Sequence, residues 1–227
     1  SVFSGTIELF TKRTCYETRK LEHRRMRTIY LVRHGQTLFN VHHKIQGTCD
    51  SPLTKLGVAQ AKAVKDYFKK KKIHFDAAFC STQERASNTL EIITDNKLPY
   101  TRLHDLHEKS HGEYEGQDEF MLPWRRGFSR VNAAMEPDRE VEQRMEKAMT
   151  KIIDLTRADD TILVVGHGTA LRLFTQAVNP EFKNYGNCGI VKMTAIDNRL
   201  KYVDYVTPAK DVSLPEKVTK KNILIVR

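Results

Sequence analysis

Four cysteines in 227 residues, Cys15, Cys49, Cys80 and Cys188, are few and scattered, and no two of them form a C-x-x-C pair. A disulfide framework is excluded on that count, and reduced thiols in a cytosol-like compartment are expected. The chain has no apolar run of the eighteen or more residues a membrane span requires, and its N-terminus lacks the apolar core of a secretory signal. It also has no repeat of fixed period and no low-complexity tract. What remains is a 40% hydrophobic chain of ordinary glycine and proline content, long enough for one well-buried domain. A cytoplasmic protein with no membrane partner is expected.

Acidic residues are the minority, 28 against 38 Lys and Arg, giving a formal charge of +10. Such an excess concentrates anionic partners, nucleic acid among them. The distribution argues otherwise. The run Lys69–Lys72 falls at the end of a predicted helix, where cations favour the helix dipole, and no aromatic interleaving suggests a platform for single strands. Nucleic acid is therefore not the expected partner. Residues 1–27 carry seven Lys or Arg against three Glu without any sustained period, and are read as an extension outside the core, with Met26 a candidate start of the native chain. Glu8, Glu17 and Glu22 speak against an Arg-rich transit peptide, which is poor in acids.

From Thr28 the pattern is regular. "TIYLV" reads as a strand, followed by a polar loop to Ser51 and a helix capped by Thr54. "FDAAFC" and "TQERASNTLEIITD" repeat the strand–helix cycle, residues 117–157 form a polar insertion with helical stretches, and "TILVVG" leads into "TALRLFTQAV". Two late strands are expected near Ile190–Ile196 and Leu200–Val206. This alternation predicts an α/β fold with a mostly parallel central sheet over residues 28–227.

One motif invites a wrong turn. His107-Glu108-Lys109-Ser110-His111 spells the zinc-protease signature H-E-x-x-H. That signature binds metal only on a helix, which puts both imidazoles on one face. Here Pro99, Gly112 and Gly116 bracket a strand end running into a loop, and Tyr114 stands where the extended signature wants glycine. No metal site is expected there.

The chemistry gathers at strand ends. "LVRHGQT" closes the first strand and "VVGHGTA" the late one, each bringing a histidine beside glycine at the carboxyl end of a parallel strand, where α/β sheets place their sites. Arg85 falls near another strand–helix junction. Arg33, Arg85, His34 and His167 together suit an anion of phosphate size.

At this point "LVRHGQTLFN", "QGTCDSPLTKLGVAQA", "CSTQERASNTLE", "LHEKSHGEYEG" and "VVGHGTALR" resemble, in family order, the motifs of the histidine phosphatase (phosphoglycerate mutase-like) superfamily. They run from Thr28 to about Leu173, most of the chain. The resemblance implies a three-layer sandwich, a covalent phosphohistidine intermediate, no metal and no cofactor. Matched residue by residue, it makes His34 the nucleophile, Arg33, Arg85 and His167 the holders of the phosphoryl oxygens, and Glu108 the acid that protonates the departing oxygen. Asn40, Gln46 and Gly47 match positions around the substrate, and Gly168 and Thr169 could add backbone N–H donors. The histidines flanking Glu108, namely His104, His107 and His111, are expected to stay neutral or point away, since a nearby cation would oppose the acid role.

Within that family the stretch after Glu115-Gly116 is shorter than the proline-rich insertion of mutases, and "EYEG" looks like the phosphatase branch. A phosphomonoesterase acting on a small phosphorylated metabolite is therefore expected, with mutase-type transfer as the alternative and a non-catalytic phosphate-ligand or nucleic-acid binder as a second. "WRR" cuts the other way: Arg125 and Arg126 resemble a mutase segment that grips the second acidic end of a phosphoglycerate or sugar bisphosphate, a reading that stands beside that of a solvated basic loop. The sequence leaves the oligomeric state open.

Overall fold

Residues 26–127, 135–196 and 199–214 are described by the computed structural model. All but the last two residues of the expected N-terminal extension, and the tail around Lys220, lie outside that range. Six strands form one mixed sheet: β1 (Arg27–Arg33), β2 (Ala77–Ser81), β3 (Thr101–Leu103), β4 (Thr161–Gly166), β5 (Ile190–Ile196) and β6 (Arg199–Val206), in the order β3-β2-β4-β1-β5-β6. The first four are parallel, while β5 joins β1 and β6 joins β5 antiparallel.

Period-two alternation along β1 and β4 divides the core. Ile29 and Leu31 face one side with Ile162 and Val164; Tyr30 and Val32 face the other with Leu163 and Val165. Both faces are covered, as a central parallel sheet requires. Helices α2 (Lys55–Lys70) and α3 (Glu84–Thr94) close one side. Helices α4 (Asp138–Asp154) and α5 (Gly168–Val178) close the other, completing the expected three layers. Leu31, Val32 and Leu163 are fully buried, each worth about 1.5–3 kcal/mol by transfer.

Local signals place the helices. The Thr54 hydroxyl accepts the Gly57 N–H at 3.0 Å, an N-cap worth about 1 kcal/mol. Lys69 and Lys70 fill the last turn of α2, as the dipole favours. One short helix falls inside the expected polar loop: α1 (Leu38–Val41), closed by a capping box between Thr37 and Asn40.

The stretch read as an insertion over 117–157 divides in two. Up to Gly127 it is irregular, with 3-10 turns at Glu119–Met121 and Pro123–Arg126. Asp138–Asp154 is a core helix, burying Val141, Met145, Ala148, Met149 and Ile152. Its narrow apolar stripe is flanked by charge on every other face, which is why composition alone disguised it. No described helix is long and apolar enough to cross a membrane.

Candidate active site

The expected histidines meet where β1 and β4 run side by side. Arg33 pairs in register with Gly166, so the two residues that follow are neighbours across the strand ends. The His34 N–H donates to the Gly166 carbonyl at 3.0 Å, and the rings of His34 and His167 lie 5.3 Å apart between centroids. The turn after His34 is pressed against the start of α2: a Cβ on Gly35 would sit 2.5 Å from the Gly57 carbonyl oxygen, so neither position tolerates a side chain without backbone movement.

The tautomer of His34 follows from the one hydrogen bond its ring makes among the described residues. Nδ1 lies 2.8 Å from the Gly35 carbonyl, which can only accept, so Nδ1 carries the proton and Nε2 keeps its lone pair. Burial, then the Arg85 and Arg33 charges, hold the ring well below the usual histidine range, against a smaller opposing pull from the Gly35 carbonyl. His167 is fully buried and lowered for the same reasons, burial first and Arg85 next. Both imidazoles are neutral at pH 7. Among the described residues neither ring nitrogen of His167 has a partner.

The two arginines are held by backbone. Arg33 donates to the Tyr185 carbonyl at 2.8 Å and its guanidinium packs over Gly168, where an added Cβ would stand 3.2 Å from Nε. Arg85 is wholly buried and donates to the carbonyls of Gly47 and Cys49 and to the Asp50 carboxylate at 2.8–2.9 Å. The Nε of each is buried and has no partner among the described residues. Two neutral imidazoles and two arginines with undirected N–H groups form a site whose remaining donors suit a tetrahedral oxyanion.

The loop that Arg85 holds is gripped from two further directions. The Gln83 amide donates to the Gly47 and Thr48 carbonyls at 2.7 and 3.0 Å and accepts the Glu108 N–H at 2.8 Å, joining that loop to the Glu108 segment. The Glu115 carboxylate accepts from Thr48 N, Thr48 Oγ1, Cys49 N and His111 N at 2.7–3.0 Å. Burial pushes the Glu115 carboxyl up, but these bonds outweigh it and bring it down to about 2. Sequence reading missed Gln83 entirely. Glu115 lay in the quoted "EYEG", where a glutamate four residues after His111 was the available signal.

Of the expected substrate contacts, several are engaged within the protein. Gln46 bridges the Thr37 hydroxyl at 2.8 Å and the Ser51 hydroxyl at 3.1 Å, and the Gly47 carbonyl serves Arg85 and Gln83. The Asn40 side-chain oxygen caps α1 and also accepts from Asn187 at 3.2 Å. Asn187, which donates to the His34 carbonyl as well, carries no sequence signal.

Glu108 is 6% exposed and seated on the N-terminus of α5. Oε1 accepts the Lys109 and Ala170 amides at 2.8 and 2.9 Å, and Oε2 the Thr169 amide at 3.0 Å. The Thr169 N–H expected for a substrate thus goes to Glu108, which leaves Oε2 the less engaged oxygen. The flanking segment is not helical: a 3-10 turn at His104–Leu106 and another at Gly112–Tyr114 frame extended backbone. Burial lowers both His107 and His111. Arg125 and Arg126 are exposed on their 3-10 turn, Arg125 lying 3.5 Å from Glu119.

Paired histidines and arginines thus gather at the carboxyl ends of a doubly covered α/β sheet, an arrangement that suits an anion of phosphate size. Residues 29–206 match the family model of the histidine phosphatase superfamily (branch 1), and the chain belongs to that family. A 2,3-bisphosphoglycerate-dependent phosphoglycerate mutase of Bacteroides fragilis is 27% identical, the match covering 86% of this chain and 95% of that protein. An uncharacterized phosphatase of Bacillus subtilis is 31% identical over 64% of this chain and 74% of its own. The crystal structure of a phosphoglycerate mutase from Bacillus anthracis superimposes with a TM-score of 0.72 at 24% identity, covering 79% of this chain and 92% of that one, a likeness of fold.

Proposed function

We propose that the chain is a metal-independent phosphomonoesterase that works through a phosphohistidine on His34. The observation that carries this reading is the His34 tautomer: its proton is committed to the Gly35 carbonyl, so an Nε2 lone pair stands at a buried, cation-lined strand end. Nε2 attacks phosphorus, the phosphorus–oxygen ester bond breaks, and the departing oxygen takes a proton from Glu108 Oε2. The carboxylate then takes a proton from water as that water's oxygen attacks phosphorus; phosphate leaves and the Nε2 lone pair is restored. Arg33, Arg85 and His167 hold the equatorial oxygens as their charge grows.

Hydrolysis of p-nitrophenyl phosphate under excess chelator, by the protein and its His34→Ala variant, tests this reading. Chelator-resistant turnover that the substitution abolishes is the expected result; turnover retained in the variant, or lost to chelator alone, overturns it.

Mutase-type transfer is favoured by one specific observation, the mutase names of relatives such as that of Bacteroides fragilis. The short stretch between Gly116 and α4 supports hydrolysis instead. Interconversion of 3- and 2-phosphoglycerate faster than phosphate release would establish the mutase.

A further inference from the structure

The segment that carries Glu108 has no ladder of its own to hold it. Between the 3-10 turns His104–Leu106 and Gly112–Tyr114 it belongs to no strand and no helix. Side chains from elsewhere set its position. The peptide unit joining His107 to Glu108 is gripped at both poles: the Glu108 N–H donates to the Gln83 side-chain oxygen at 2.8 Å, and the His107 carbonyl accepts from Arg144 Nη1 at 2.7 Å. The Glu108 carbonyl in turn accepts from His107 Nδ1 at 2.8 Å, which fixes the next unit. Each unit is planar and rigid, so holding both leaves the Glu108 Cα little freedom and its side chain one direction.

Arg144, in the second turn of α4, does more than reach that carbonyl. Nη1 also donates to the Asp105 carbonyl at 3.0 Å, while Nε and Nη2 take the two Glu136 oxygens at 2.6 and 3.0 Å. Glu136 closes the other side of the segment: its Oε2 accepts the Ser110 N–H at 2.9 Å, and its own N–H donates to the Ser110 carbonyl at 3.0 Å. Burial pushes the Glu136 carboxyl up, but Arg144 and the Ser110 amide outweigh it and leave it below the ordinary glutamate value, so the ion pair is intact at neutral pH. Helix α4 does not depend on this pair for its place, because Val141, Met145, Ala148, Met149 and Ile152 already anchor it in the core.

We propose that Arg144, with Glu136 as its counter-ion, is a positioning residue for the acid of the reaction: it holds the His107–Glu108 peptide so that the Glu108 carboxyl meets the departing oxygen. It acts through Glu108, since its own hydrogen bonds go to main chain and to Glu136. The inference rests on the phosphomonoesterase reading, in which Glu108 protonates the leaving group. A displacement of about 1 Å in a catalytic group costs up to about 10²-fold in rate, which sets the size of the effect to look for.

Two leaving groups separate positioning of the acid from support of the fold. p-Nitrophenolate departs readily without a proton, whereas phenolate departs far better with one, and kcat/KM covers the steps through that departure. Arg144→Lys keeps the charge but offers one nitrogen where two carbonyls and a carboxylate were served. It should lower kcat/KM for phenyl phosphate by roughly 10- to 100-fold, and for p-nitrophenyl phosphate by a factor at least about fivefold smaller. Glu136→Gln keeps an acceptor for the Ser110 amide and should move the ratio of the two substrates the same way by a smaller factor; it carries the same test should the first variant not fold. In the Glu108→Gln background the ratio has already changed, and Arg144→Lys should shift it no further. Equal losses on both substrates, or a ratio that Arg144→Lys still shifts without the Glu108 carboxyl, overturn the proposal and make the pair a support of the fold alone. Failure of the underlying reading looks different: Glu108→Gln itself then falls equally on both substrates, or His34→Ala turns both over as fast as the wild type.

Discussion

Around His34 the charged groups are fixed chiefly by main chain. Arg33 is tied to the Tyr185 carbonyl, Arg85 to those of Gly47 and Cys49 and to the Asp50 carboxylate, and Glu108 to three amides. Along Lys109–Asp138 side-chain pairs carry more of the load, Lys109 on Asp138 and Arg144 on Glu136, with the Ser110 amide also donating to Glu136. The difference matches what the proposed chemistry asks of the first region. Stabilising a transferring phosphoryl group requires donors already in place, because reorganisation during the reaction cancels the gain. The pairs along Lys109–Asp138 lie outside that cage and can be changed one side chain at a time.

The largest expected effect breaks the main-chain region at its centre. His34→Ala should reduce kcat by about 10⁴-fold or more, as removal of a covalent nucleophile does, with an unchanged circular dichroism spectrum. Arg85→Lys keeps the charge but cannot reach three acceptors at once, so a loss of roughly 10²- to 10³-fold in kcat is expected on p-nitrophenyl phosphate. A loss below tenfold would mean that the loop Gly47–Asp50 stands without Arg85.

Gln83→Leu removes the link between that loop and Glu108 at nearly constant volume, and leaves the Glu108 N–H buried and unpaired. A destabilisation of about 1–3 kcal/mol is expected by urea unfolding, together with a fall in kcat larger than any rise in KM. If only stability changes, Gln83 holds the fold and not the acid.

Two pH windows sharpen the comparison further. His34 and His167 have folded pKa values below the unfolded value of about 6.5, so the unfolded chain takes up protons first and stability declines as pH falls below about 6.5. Each ring contributes up to about 1.4 kcal/mol per pH unit in that window, and His167→Asn should flatten the slope. Glu115 acts lower: its folded value of about 2 lies below the unfolded value of about 4.3, so its stabilisation is complete above about pH 4.3 and is lost as pH falls toward 2. Glu115→Gln should remove that second loss from a melting series. The smallest effect belongs to Arg125→Gln, whose exposed contact with Glu119 is worth less than about 1 kcal/mol.

How far the sequence could be read divides along the same line. Five strands were legible as β-type runs, β3 only as a strand end before the loop, and the helices through Thr54 and the three-to-four spacing, because burial on both sheet faces leaves few other patterns. His34, Arg33, Arg85 and His167 were legible because strand ends converge, and the structure brings all four together. Helical stretches were expected within 117–157, but charge on the outer faces of α4 concealed that it is a core helix, and α1 was concealed by its length of four residues. Gln83 and Asn187 were not legible, since an amide is ordinary at the surface. Only the chain path shows that Gln83 reaches two carbonyls and an amide from distant segments.

The central claim, a covalent intermediate on His34, is tested most directly by rapid acid-free quenching of the protein during turnover of a phosphomonoester, followed by mass mapping of the peptides. One phosphoryl group on the peptide containing His34, absent from His34→Ala and lost on brief acid treatment, is the predicted result. Phosphoryl label on any other residue, or burst-free turnover with an unmodified His34 peptide at every quench time, would contradict it.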